Sequence, residues 1–299
     1  MKPSLYLIII LLLLTACDDG DIITVDLEFD KELEYCDSSV DSFLIFDLRE
    51  DPNESLSVII PRSTNQEFPF TEATPTDTPE LFLIGGSNRF IYRTYNRAVA
   101  TGELCDVVPP GSLNIVEDYE ADQGNIAVTV TIEDDDNDGI ASEDEGRGEP
   151  DENGNYPNAE DTDLDGIPDY LDEDDDNDNV NTENEIGDGE TPLDTDGDGT
   201  PDYLDTDDDG DDILTINEDE DQDFNPINDI SVNDGVSIAH YLNILETTDY
   251  GSPGFRDDNE YTRTVSASFF ITDFNLEILS ATELDFGVLE YSFTLPEDD

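Results

Sequence analysis

Positive charge is what this chain lacks most. Ten lysines and arginines stand against 80 aspartates and glutamates in 299 residues, a net charge of -70. A surface that acidic repels phosphate backbones and anionic headgroups alike, which excludes nucleic acid as a partner and calls for a divalent cation to neutralise it. Tryptophan is absent, and the single histidine, His240, sits beside Tyr241 in a locally apolar stretch and reads as a structural residue. No G-x-S-x-G, H-E-x-x-H or P-loop pattern occurs. Carboxylate pairs of the kind glycosidases use are inevitable among 80 acids and so carry no information. The expectation is a protein that is not an enzyme. Cysteine is sparse too: there are three, none in Cys-x-x-Cys spacing, which argues against redox and zinc centres.

Long apolar runs are also missing. Leu5 to Leu14 follow Lys2 as a segment of about ten apolar residues, short of the roughly twenty that a bilayer span needs. Residues 1–16 are therefore expected to be a signal peptide. The segment closes on Leu14-Thr15-Ala16-Cys17, which resembles the lipobox of bacterial lipoproteins: small residues admit the peptidase, and the Cys17 thiol takes the diacylglycerol. The resemblance implies anchoring to the outer membrane through a lipid on Cys17, with 17–22 as the lipidated tether. Asp18, Asp19 and Asp21 resemble the signal that sends Bacteroidetes lipoproteins to the outer face of that membrane. An aspartate at this place means inner-membrane retention in enterobacteria, and an acidic stretch also serves as a plain solvated tether. Cell-surface exposure is the expectation and the periplasmic face the alternative. Cys36 and Cys105 remain in the mature chain, and an even count in an exported protein favours a disulfide over two buried thiols.

What the chain has in excess is concentrated in the middle. Of the 80 acidic residues, 41 fall between Glu133 and Asp223, where Arg147 is the only basic residue. One pattern recurs there five times, with Asp at positions 1, 3 and 5, a turn residue at 6 and oxygen ligands at 9 and 12. The copy at 134–145 offers Asp134, Asp136, Asp138, Ser142 and Glu145, and the copy at 161–172 offers Asp161, Asp163, Asp165, Asp169 and Asp172. The third, 174–185, carries Asp174, Asp176, Asp178, Thr182 and Glu185; the fourth, 194–205, carries Asp194, Asp196, Asp198, Asp202 and Asp205. The fifth, 207–218, carries Asp207, Asp209, Asp211, Thr215 and Glu218. Two types alternate, one with Ser or Thr at 9 and Glu at 12, the other with Asp at both inside the string PDYLD; the pattern of a pair repeats after 33 residues.

Calcium takes six to eight hard oxygen ligands in flexible geometry, and alternate aspartates on a tight turn supply them together with the position 7 carbonyl. Position 6 must usually be left-handed, which Gly139, Gly166 and Gly199 allow freely and Asn179 and Asp212 next best. Calcium is thus the expected cofactor. Asp219, Asp221 and Asp223 continue the series as weaker ligands, because Phe224 falls at position 6. The array over 134–218 resembles thrombospondin type 3 repeats and their bacterial relatives. It departs from EF-hands in its apolar position and in lacking flanking amphipathic helices. The resemblance implies loops wrapped around calcium with little hydrophobic core.

On either side of the array, short β-branched and aromatic runs between turn residues read as strands: 23–29, 42–48, 55–61, 81–84, 89–95 and 125–132 before it, and 261–271, 274–279 and 284–295 after it. Residues 236–246 read as a helix. The expected fold is mainly β, with β-sandwich-like flanks around an inserted irregular array of calcium loops. The expected divisions are 23–132 as one part of the sandwich, 133–223 as the repeats, and 224–299 as a second part or a small separate β domain. The function expected is a calcium-stabilised surface lipoprotein acting as a structural, adhesion or binding module. The alternative is a glycan-binding or glycan-degrading accessory lipoprotein with its site on the sandwich; an unidentified protein or glycan would be the further partner.

Overall fold

A computed structural model describes residues 29–36, 41–62, 68–75, 78–106, 108, 110–151, 154–187, 191–233, 235–256 and 259–295. The expected signal segment, Cys17, the tether and nearly all of the 23–29 run lie outside the described residues. The protein is mainly β. Its strands are β1 (Glu34–Cys36), β2 (Ser42–Arg49), β3 (Glu54–Pro61), β4 (Glu80–Leu83), β5 (Arg89–Tyr95), β6 (Ile115–Glu120), β7 (Asn125–Thr131), β8 (Ile230–Asn233), β9 (Val236–Ala239), β10 (Tyr261–Leu276) and β11 (Leu279–Leu295). Among the described residues one short helix, α1 (Thr101–Cys105), joins them. The strands form a five-stranded sheet in the order β1-β2-β3-β5-β6, a four-stranded sheet in the order β11-β10-β7-β4, and the hairpin β8-β9.

The chain divides into two compact units. The first takes residues 1–64, 82–126 and 270–286. Its five-stranded sheet is antiparallel throughout, with Phe46 opposite Ser57 and Val58 opposite Phe90. Alternation along the strands sends Phe43 and Ile45 of β2 and Leu56, Val58 and Ile60 of β3 into buried positions. Phe90 meets Phe274 and Phe286 edge-on, with ring centroids 5.3 and 6.1 Å apart, so the sheet packs face to face on the β10–β11 turn region in a sandwich-like layer. Each fully buried Phe contributes roughly 1.5–3 kcal/mol of transfer free energy. Two buried carboxylates sit in this unit with their partners: Glu54 is paired with Arg49 and accepts from the Tyr92 hydroxyl, and Asp47 accepts the Lys31 N–H at 2.9 Å. Cys36 at the end of β1 is bonded to Cys105 at the end of α1, across Cα atoms 5.2 Å apart.

The second unit takes 65–81, 127–269 and 287–299. In it the first half of β10 buries Arg263, Val265, Ala267 and Phe269 on one face, as the alternation of 261–269 requires. Phe70 stands against Phe269 at 5.4 Å and Phe68 against Tyr291 at 4.5 Å. Apart from its strands the unit is irregular, a succession of 3-10 turns at Asp169–Leu171, Thr182–Asn184, Asp202–Leu204, Thr215–Asn217, Pro226–Asn228 and His240–Leu242. The helix expected over 236–246 is not formed. Gly235, at φ +84°, turns the chain between β8 and β9, so Val236–Ala239 pair as a strand, and a single 3-10 turn comes after them.

Candidate metal centre

Two left-handed residues shape each acidic loop. At position 6, φ is +105° at Gly139, +103° at Gly166, +76° at Asn179, +105° at Gly199 and +75° at Asp212. Position 4 is left-handed as well, at Asn137, Leu164, Asn177, Gly197 and Gly210. The double reversal turns the carboxylates onto their own backbone. The position 5 carboxylate accepts the position 7 N–H in every copy: Asp138 from Ile140, Asp165 from Ile167, Asp178 from Val180, Asp198 from Thr200 and Asp211 from Ile213, all at 2.7–2.8 Å. Asp136, Asp163, Asp196 and Asp209 accept from position 5 in the same way. Each bond occupies one oxygen and orients the other. In the copies at 134, 161 and 174, the carboxylates at 1, 3 and 5 each bring an oxygen within 4.8 Å of the others.

Positions 9 and 12 divide the remaining work. Position 9 closes the loop against position 2. Ser142, Thr182 and Thr215 accept the N–H groups of Asp135, Asp175 and Asp208 at 2.9, 3.3 and 3.4 Å. Asp169 and Asp202 take both the N–H and the hydroxyl of Thr162 and Thr195. These five side chains, expected as direct ligands, thus also make the hydrogen bonds that close each loop. At position 12, Asp172 and Asp205 accept the N–H of Asp174 and Asp207 and tie each PDYLD copy to the next loop. Glu145, Glu185 and Glu218 are buried with carboxylate oxygens that have no partner.

The most enclosed clusters join different loops. Asp138 and Glu145 of the first copy meet Asp175, the position 2 residue of the third. Asp178 and Glu185 of the third meet Asp208, the position 2 residue of the fifth, in the same arrangement. Asp175 and Asp208 are 2% and 1% exposed, and neither oxygen of either carboxylate has a hydrogen-bond partner. The position 2 aspartate of one copy therefore reaches back into the site of the copy two before it. The ligand pattern of a single loop does not include these residues, yet a signal is present: position 2 is Asp in the copies at 134, 174 and 207 and Thr in the copies at 161 and 194. In the first copy the equivalent residue, Asp135, has no earlier loop to serve. It is held by two guanidinium groups, Arg147 at 2.6 Å and Arg263 of β10 at 3.2 Å. A strap from further along the chain secures the second and third copies: Arg256 pairs with Asp174 at 3.3 Å, and Asn259 donates to the Leu171 carbonyl at 2.7 Å.

Electrostatics are set by this enclosure. Burial first, and repulsion from neighbouring carboxylates second, push Glu145 and Asp175 up to about 10 and Asp136 up to about 9. Burial carries Asp138 up to about 7 and Asp208 up to about 10. Asp176, Asp178 and Glu185 lie well above the usual carboxylate range for the same reason. The copy at 194 differs, with Asp194, Asp196 and Asp198 exposed to solvent. The enclosed clusters can bind metal ions. Around the first copy, Asp136 and Asp138 each offer one unpartnered buried oxygen, and Glu145 and Asp175 each offer two. That all-oxygen set, with no nitrogen or sulfur donor, suits a hard cation of calcium's size and coordination number. No family model matches the chain, and no match was found among curated proteins or solved structures.

Proposed function

We propose that the protein is a calcium-binding, lipid-anchored module of the bacterial cell surface, serving a structural, adhesion or binding role, in which calcium replaces an apolar core across the acidic middle. The observation that carries this reading is the set of buried carboxylate oxygens with no donor, repeated in the copies at 134, 174 and 207. Five loops holding carboxylates this close repel one another unless cations neutralise them. Calcium fits better than magnesium, which demands compact octahedral geometry and gives up its water reluctantly. The lipobox residues Leu14 to Cys17 support the anchor, and the acidic tether supports display outside the cell. Calorimetric titration of the metal-free mature protein tests the central claim. Calcium should bind at several sites with compaction seen in solution scattering, and magnesium should do so weakly. Heat and size unchanged by millimolar calcium would leave the array a charged spacer. Replacing Cys17 by Ser should release the protein from membranes.

A further inference from the structure

The acidic series does not stop at Glu218. Asp219, Asp221 and Asp223 continue the alternation, and although Phe224 at position 6 marks them as weak ligands by sequence, the first six positions of this segment turn as those of the other copies do, with Asp219 buried and Asp221 and Asp223 exposed. Gln222 and Phe224 take positive φ of 59° and 69° at positions 4 and 6. Asp219 accepts the N–H groups of Asp223 and Phe224 at 3.2 and 2.8 Å, the same two bonds that Asp174 accepts from Asp178 and Asn179. A turn of this shape could be held by its hydrogen bonds alone. Asp229 supplies the independent observation. It caps the 3-10 turn Pro226–Asn228, is 7% exposed, and its Oδ2 has no hydrogen-bond partner. Its carboxylate interacts electrostatically with that of Asp219, which is fully buried, and with that of Asp221. Two buried carboxylates cannot interact in this way as bare anions, because each has lost the water that would solvate its charge.

We propose that Asp219, Asp221, Asp223 and Asp229 form a sixth cation site, of the hard divalent class, closed by Asp229 from beyond the loop. Only the identity of the ion, calcium, rests on the reading of the five loops above. The site also secures the chain on its C-terminal side. The Asp229 carbonyl accepts the His240 N–H at 2.8 Å, and Gln222 donates to the carbonyls of Tyr250 and Gly251 at 3.0 and 3.2 Å. His240 and Tyr250 stack with ring centroids 5.7 Å apart. An ion here therefore pins the segment 240–251 to the end of the array.

Native mass spectrometry of the calcium-loaded mature protein, with hydrogen exchange alongside, tests the site. Asp229→Asn should carry one ion fewer than the unsubstituted chain, and 240–251 should exchange faster in it while the copies from 134 to 218 keep their protection. An equal ion count in the two proteins would overturn the sixth site. No bound ion in either would instead overturn the reading of the five loops. Phe224→Gly provides a second route that does not depend on weakening the fold. It removes a side chain from a left-handed position, at some cost in backbone entropy, and should tighten the last site to fill by about three-fold. Unchanged or weaker binding in that variant would count against the proposal.

Discussion

The five-stranded sheet of the first unit and the acidic loops of the second bury interiors of opposite chemistry to the same depth. In the first, Phe43, Ile45, Phe46, Val58 and Phe90 are 0–1% exposed. In the second, Asp178, Glu185, Asp208 and Asp219 are 0–2% exposed. Removing Phe from water is favourable by itself, so the sheet unit carries its stability within its own sequence. Removing a carboxylate from water is unfavourable until something of opposite charge accompanies it. The acidic unit thus holds half of its core, and the solution supplies the other half. Depth of burial alone does not tell what stabilises a fold; the partner of the buried group does.

Withdrawing the cation should separate the two regions most strongly. Each site at ten-fold saturation adds about 1.4 kcal/mol by mass action, so several sites together set the stability of the array. In chelator, amides from 134 to 243 should lose their protection against hydrogen exchange, while those of β2, β3 and β5 keep theirs. Equal loss in both regions would show that the sheet unit also depends on the ion.

Acidity should act next most strongly, and in opposite directions with and without calcium. Carboxylates lifted from near 4 in the unfolded chain to about 7 for Asp138 and about 10 for Glu145, Asp175 and Asp208 bind more protons folded than unfolded. The metal-free fold therefore has this contribution in full below about pH 4 and loses it as the pH climbs through 7 to 10. Metal-free protein should melt higher at pH 5 than at pH 8. With saturating calcium the order should reverse, since protons compete for the same oxygens. Thermal melts at the two pH values in both conditions provide the check.

Phe90→Ala turns the comparison around. It opens a cavity beside Phe274 and Phe286 and should cost about 3–5 kcal/mol in urea unfolding of the sheet unit, by the same amount with or without calcium. A calcium-dependent cost would mean that this core is not self-sufficient. The smallest expected effect is Asp208→Asn, which keeps the shape and removes one charge from the cluster with Asp178 and Glu185. Calcium binding at one site should weaken by roughly ten-fold, or about 1.4 kcal/mol. Protection should fall in the third copy as well as the fifth, whereas a residue serving only its own loop would leave the third copy unchanged.

Much of the architecture can be read from particular residues. The runs around Phe43–Phe46, Val58–Ile60 and Val265–Phe269 are strands because β-branched and aromatic residues there alternate or cluster between turn residues, and burial tracks that pattern. β6 is not legible in this way. Its sequence IVEDYE carries three acids on an edge strand, and its charges are satisfied laterally by Arg89 on Glu120 and Arg93 on Asp118, which no periodicity announces. The helix expected over 236–246 fails because Val236 and Ile238 also suit a short hairpin, and Gly235 decides the matter. In the array, sterics alone account for the loops and their position 6 residues. The reach of Asp175 and Asp208 is different, because a ligand supplied by a distant copy leaves no mark in the spacing of one loop. Position 9 is half legible for a related reason: Ser, Thr and Asp all offer oxygens, but only the fold shows that they also accept from position 2.

Asp135 and its two arginines give the array a direction of growth. Every copy after the first that begins DDD reaches backward, so a duplicated pair inserted after the third or fifth copy would find a glutamate waiting behind it and offer its own to whatever came next. A copy placed ahead of the first would find Asp135 already claimed by Arg147 and Arg263. Duplication in whole pairs of 33 residues would therefore extend such an array only behind its arginine-bound start and in one register.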